Sequence, residues 1–320
     1  MTSAARSVRS IPTIDLNDYT AGEGQTRARL VQTLGDGLRE FGFLNVEGHG
    51  IDPSLIRGTY RLWQRFFELP EDVKRQYAAV AGGARGFTPF GVEHAKDNPL
   101  PDLKEFWHVG QELPEGHPYR NEYPPNLWPA ELPEIHQPTV QLYKSLERVA
   151  ENLLYALAEY FDLPRGTFAS MMESGNSILR IIHYPAVRPE QLPAVRAAAH
   201  EDINLITLLC EATDSGLEIL TREGDWMPVE SGEGQIVVDA GDMLSRFTNE
   251  VVPATTHRVV NPATGTGRDR YSMPFFVHPY SACDLTIHER FVSEDQPARY
   301  PPITAGQFLD QRLREIGLKK

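Results

Sequence analysis

Three residues in the second half of the chain have the types and spacing to hold a metal ion. In AAHEDINL, His200 and Asp202 lie two apart on a run with strand character, so both side chains are expected on one face while Glu201 points to the other. His257, in ATTHRVV, sits far downstream on another short strand-like run, where a distant ligand would close the site. Two imidazoles and one carboxylate on one face of an octahedron leave three positions open, an arrangement suited to iron(II) and oxygen. The same ligand types also serve zinc in a tetrahedral site, so ligand identity alone leaves the metal open. A zinc hydrolase is disfavoured, because no H-x-x-H pair with a neighbouring general base is present.

A second cluster stands in RYSMPFF, where Arg270 and Ser272 again share one face of a strand. Arginine offers a planar fork that binds a carboxylate bidentately, and the serine hydroxyl adds a donor. Apolar neighbours favour this anchor over a surface ion pair.

The elements that must position these residues can be read from periodicity. Segments Gln25 to Glu40, Pro53 to Leu69 and Pro138 to Phe161 space apolar residues at three and four, as amphipathic helices do. FGFLNVEGHGI at 41–51 reads as a short strand ended by glycine turns. Residues 80–137 are rich in Pro and Gly and are expected to form long ordered loops. After Asn176 come short β-rich runs separated by turns, which indicate a sandwich or barrel. A closing helix is expected from Ala305 to Ile316. The organisation expected is therefore a helical region at 1–137, then a support helix, a β core and a C-terminal helix at 138–320.

At this point the residues resemble a known family. HED at 200–202, THRVVNP at 256–262 and RYSMPFF at 270–276 resemble the 2-oxoglutarate-dependent oxygenases of the isopenicillin N synthase-like group. IPTIDL, FGFLNVEGHGI, FFELPEDVKRQY and DLKEFWHVG look like that group's N-terminal region, so the resemblance covers nearly the whole chain. It implies a mainly β fold with flanking helices, built on a double-stranded β-helix (jelly roll). It also implies Fe(II) on His200, Asp202 and His257, with Arg270, Ser272 and Tyr184 holding the distal carboxylate of 2-oxoglutarate. O2 would then be consumed, succinate and CO2 released, and a small-molecule substrate most commonly hydroxylated. An oxidase that uses iron and O2 without 2-oxoglutarate stays open, with the anchor holding substrate instead.

The chain departs from the N-Y-Y-P of many plant members, having Ile182, His183, Tyr184 and Pro185 there. Strand alternation puts His183 opposite Ile182 and Tyr184, in a structural role. Asp239 and Asp242, in VVDAGDML, are read as turn residues or supports for the site, since a fourth ligand would crowd out the co-substrate. The loop at 84–93 is the expected wall or lid of the substrate pocket, with Arg85, Phe87 and Phe90 as candidate contacts.

Composition narrows the partners. Net charge is −13, so the surrounding field repels phosphate backbones and anionic lipid, and nucleic acid is excluded. Two cysteines are too few for a disulfide framework, and Cys210 lies in an apolar run as a buried thiol. With no apolar leader and no long apolar segment, a cytoplasmic protein with no membrane partner is expected. The sequence leaves the oligomeric state open.

Overall fold

Leu142, Leu146, Val149, Leu153, Leu154 and Leu157 fall on one stripe of the helix His136–Tyr160, and all six are buried. That stripe needs an apolar surface to cover it, and the β-rich half of the chain supplies one. In the computed structural model, which describes residues 10–78, 84–95, 98, 100–262 and 268–315, the helix backs the larger of two sheets. The Tyr143 ring meets Phe275 of that sheet edge-on at 4.9 Å.

Among the described residues, twelve strands make up the sheets. They are β1 (Thr13–Asp15), β2 (Phe43–Glu47), β3 (Gly86–Thr88), β4 (Glu105–Gly110), β5 (Ile178–Tyr184) and β6 (Ala197–His200). The remaining six are β7 (Ile206–Cys210), β8 (Leu217–Leu220), β9 (Trp226–Pro228), β10 (Ile236–Ala240), β11 (His257–Val259) and β12 (Arg270–Val277). Eight form one sheet in the order β1-β2-β10-β7-β12-β5-β4-β3, and four form a second in the order β6-β11-β8-β9.

The inner faces meet. Phe106, Ile182 and Tyr184 of the large sheet pack with Ala197, Val259 and Leu217 of the small one. Farther along, Phe43 and Val237 pack with Ile219 and Met227. Two sheets closed on one another in this way are the double-stranded β-helix that the resemblance implied.

Helices Gly24–Phe41 and Pro53–Phe67 pack on the long helix. The second starts with the Asp52 side chain accepting from Ser54 N at 2.7 Å and with Pro53 in its first turn, a cap worth about 1 kcal/mol. Of its aromatic stripe, Trp63 and Phe66 meet Trp107 of β4 while Phe67 packs on both, and Trp63 Nε1 donates to Thr139 of the long helix at 3.0 Å. The C-terminal helix runs Ala305–Glu315, and Ile316 of the expected span lies outside the described residues.

The structure corrects one expectation here. Residues 80–137 contain β3 and β4, and all six residues of β4 are buried within the large sheet. A strand covered on both faces has no alternation to betray it, and its flanking Pro and Gly dominate the composition. β1 to β4 thus belong to the same sheet as the strands of the second half. No helix among the described residues is long and apolar enough to cross a membrane.

Candidate metal centre

His200 is the last residue of β6 and His257 the first of β11, directly opposite each other in the antiparallel pair. Their rings lie 4.4 Å apart. His200 Nδ1 stands 2.7 Å from the Ala198 carbonyl and His257 Nδ1 3.1 Å from that of Thr255. The carbonyls can only accept, so each Nδ1 carries the proton and each Nε2 is left as a donor to metal. Burial, then the nearby His200, pushes the His257 imidazole down to about 4, the neutral form that ligates.

Asp202 completes the cluster, although not from a strand as expected. β6 ends at His200, and residues 202–205 form a turn bracketed by the backbone of 241–243: Asp242 N donates to Asp202 O at 2.7 Å, Gly241 N to Leu205 O and Met243 N to Asn204 O. Asn204 Nδ2 donates to Thr207 Oγ1 at 2.8 Å, and Thr207 Oγ1 donates to Asp202 Oδ2. Asp202 Oδ1 is left 3.9 Å from both Nε2 atoms. Two donors on one ion with bonds of about 2.1 Å can stand at most ~4.2 Å apart, so each imidazole can share a metal ion with the Asp202 carboxylate. Among the described residues these three form the one His/Cys/Asp/Glu group gathered as a candidate metal site, with all ligand atoms within 4.8 Å of one another.

Arg270 opens β12, opposite Tyr184 of β5, and its guanidinium lies 4.9 Å from the centre of that ring. It is 1% exposed. Its Nε donates to the Asp214 carbonyl at 3.1 Å, while Nη1 is buried without a hydrogen-bond partner. Among the described residues no carboxylate pairs with it. An unpaired buried cation is costly unless an anion arrives to meet it, so the residues present fit a bound carboxylate. Ser272, also buried, lies two residues along the same face.

The inner face of β4, β5 and β12 continues from this anchor into a cavity of about 770 Å3 that also reaches the metal cluster. Phe106 and His108, Ile178 and Arg180, and Phe276 and His278 line it at alternate positions. Asp102, Lys104 and Glu93 add charge, and Leu309, Arg312 and Leu313 of the C-terminal helix close one side.

His183 points away from the cavity, as alternation requires, stacked on Tyr271 at 4.7 Å and 2.7 Å from Glu105. Asp239 is buried with its Oδ2 3.5 Å from His257 Nδ1, and burial, then Asp202 and Asp242, raises its carboxyl. The Asp242 side chain takes Arg312 at 2.7 Å. Of the three expected wall residues, Phe87 lines the cavity, whereas Arg85 and Phe90 do not. Arg85 is wholly buried, donating to the Ala84 carbonyl and to Asn176 Oδ1, and its guanidinium lies where a Cβ on Gly110 would be. Phe90 is exposed.

Sequence reasoning missed Thr207 and Asn204, which lie outside any motif. It missed Arg196 too, whose Nη1 holds Asp214 Oδ2 at 3.1 Å and so steadies the residue that holds Arg270. Arg180 was within reach: it sits two steps before Ile182 on the strand that carries Tyr184, and alternation puts all three on one face.

Residues 175–279 match a model described as the 2OG-Fe(II) oxygenase superfamily, and residues 11–131 one described as the N-terminal region of a non-haem dioxygenase in morphine synthesis. A 2-oxoglutarate-Fe(II) type oxidoreductase of Aspergillus fumigatus is 30% identical, the match covering 95% of this chain and 92% of the relative. A crystal structure of a 2OG-Fe(II) oxygenase family protein from Caulobacter crescentus is similar with a TM-score of 0.88 and 42% identity, over 97% of this chain and 100% of that one. A full-length Neurospora crassa protein, crystallised with alpha-KG and thymine, matches with a TM-score of 0.86 and 27% identity over 97% and 98% of the two chains.

Proposed function

Because the chain belongs to the 2OG-Fe(II) oxygenase superfamily, we propose that it hydroxylates a small organic molecule, with His200, Asp202 and His257 as the iron ligands. Arg270, Ser272 and Tyr184 hold the distal carboxylate of 2-oxoglutarate. Iron(II) and 2-oxoglutarate are the metal and co-substrate of this enzyme, so the reading that dispenses with 2-oxoglutarate falls away. The observation that carries the assignment is the convergence of two imidazole nitrogens and one carboxylate oxygen at the edge of a cavity. The thymine in the Neurospora structure supports a substrate of small-molecule size.

When bound, iron activates O2 and couples oxidative decarboxylation of 2-oxoglutarate, to succinate and CO2, with oxidation of the substrate. The carbonyls of Ala198 and Thr255 hold the imidazoles with Nε2 turned inward, and Thr207 fixes the carboxylate. Arg270 supplies the charge that neutralises the distal carboxylate, and Ile182, Val259 and Leu217 line an apolar wall that keeps water from it. Phe106, Phe276 and the C-terminal helix enclose the substrate beside the metal.

The test is spectroscopic. Iron(II), then 2-oxoglutarate, are added to metal-free protein without oxygen, and the weak visible charge-transfer band of the chelate is followed. Wild type should give the band, and Arg270→Ala should raise the 2-oxoglutarate concentration needed by at least about tenfold. Equal affinity in the variant would remove Arg270 from the anchor; no iron binding would remove the metal assignment.

A further inference from the structure

Charge in the cavity is laid out as an alternating row. Asp102 Oδ2 takes Lys104 Nζ at 2.8 Å, Lys104 Nζ reaches Glu93 Oε2 at 2.7 Å, and Glu93 accepts from both terminal nitrogens of Arg180 at 3.2 and 3.3 Å. Two carboxylates and two cations sum to zero. Burial pushes the Glu93 carboxyl up, but Arg180 and Lys104 outweigh it and hold the carboxyl well below its usual range. Burial likewise pulls Lys104 down, and Glu93 and Asp102 more than restore its charge.

The charge of Arg180 is already met within the protein. Its fork faces Glu93, its Nε donates to His108 Nε2 at 2.6 Å, and Phe106 and Phe276 stand against it at 4.2 and 5.1 Å. At the mouth, Arg312 meets Asp242 at 2.7 Å and Glu315 at 2.9 Å. Among the described residues, every Lys or Arg lining the cavity therefore has a carboxylate partner, whereas Glu201 in the same lining pairs with neither Lys nor Arg. Among the neutral lining residues, Thr88 Oγ1, Asn204 Oδ1 and His278 Nδ1 lie just beneath the cavity surface, buried and without a hydrogen-bond partner.

We propose that this cavity selects an uncharged substrate bearing amide-, imide- or hydroxyl-type hydrogen-bonding groups and rejects small carboxylates. The inference rests on the oxygenase reading and deepens it. A carboxylate entering would be stripped of water with no free Lys or Arg among the described lining residues to receive it, and would face Glu201. An amide or imide can exchange hydrogen bonds with the polar lining and the charge row without adding net charge.

The test uses two matched pairs, uracil with orotate and benzamide with benzoate, titrated calorimetrically into anaerobic protein loaded with iron(II) and 2-oxoglutarate. The chelate band is recorded first in the same sample, and its absence would overturn the underlying oxygenase reading before any ligand is added. With the band present, the neutral member should bind at least about tenfold more tightly than its carboxylate partner in one pair or both. Glu93→Gln releases Arg180 and Lys104 from their shared anion and should shrink or invert that ratio. Carboxylates that bind wild type as tightly as their neutral partners, no binding by any of the four, or a ratio untouched by Glu93→Gln would each overturn the proposal.

Discussion

Asp202 is aimed by a residue five positions on. With its Oδ2 held by Thr207, Oδ1 is the oxygen turned toward both histidines, and Thr207 is itself held by Asn204. Thr207→Val keeps the shape and removes the hydroxyl, so iron(II) affinity should fall about 10–100-fold while circular dichroism stays that of a folded protein. Anaerobic titration with iron(II) checks this, and an unchanged affinity would mean that the hydroxyl does not orient the ligand. At this scale the sequence pointed to the candidate ligands and was silent about their supports. His200, Asp202 and Arg270 announce themselves by type and by spacing of two. Thr207 reaches Asp202 only because the chain turns at 202–205, and nothing in its neighbours marks it. Arg85 misled for a related reason: a charge in a glycine-rich loop reads as a substrate contact, yet it is buried against a glycine 25 positions downstream.

Among the elements, alternation made β5 and β12 legible, because each presents chemistry on one face and core on the other. β4 escaped, since it is short and lies in a stretch whose Pro and Gly dominate the composition. The junction between the helix Gly24–Phe41 and β2 was also hidden, and it bears on the metal. Gly42 takes a φ of +68°, and its carbonyl accepts from Ala240 N at 2.8 Å. A Cβ there would overlap the side chain of Thr255, whose carbonyl orients His257. Gly50, with a φ of +72°, has open space where its Cβ would go. Both Gly42→Ala and Gly50→Ala should lose about 1–2 kcal/mol of stability in urea from backbone strain. Iron(II) affinity should drop in the Gly42 variant alone. Matching affinities in the two variants would show that the Thr255 contact does not reach the metal site.

The response of the whole molecule to acid follows from its buried histidines. Burial pushes His278 down to about 4, and burial with His200 does the same to His257. Unfolded, each would titrate near ~6.5, so between the two values the unfolded chain binds protons that the native protein does not. Their contribution is complete above about pH 6.5 and is lost as pH falls toward 4, on the order of 3 kcal/mol for His278. Urea unfolding of metal-free protein at pH 7.5 and pH 5 should register the loss, and His278→Gln should make it smaller. A variant with an unchanged pH difference would refute the assignment to His278. The cavity itself is assembled from stretches as far apart as residues 84–108 and 309–315, which no local window of sequence brings together. What it rests on is simpler: one inner face of β4, β5 and β12 that carries the proposed carboxylate anchor at one end and the proposed substrate wall at the other. Positions two residues apart on a single strand therefore answer to different selective pressures. The fold can acquire a new specificity by point changes at Phe106, His108, Arg180 or Phe276, with the oxygen-activating apparatus inherited intact, and a directed-evolution library confined to those four codons would explore substrate choice without rebuilding the catalyst.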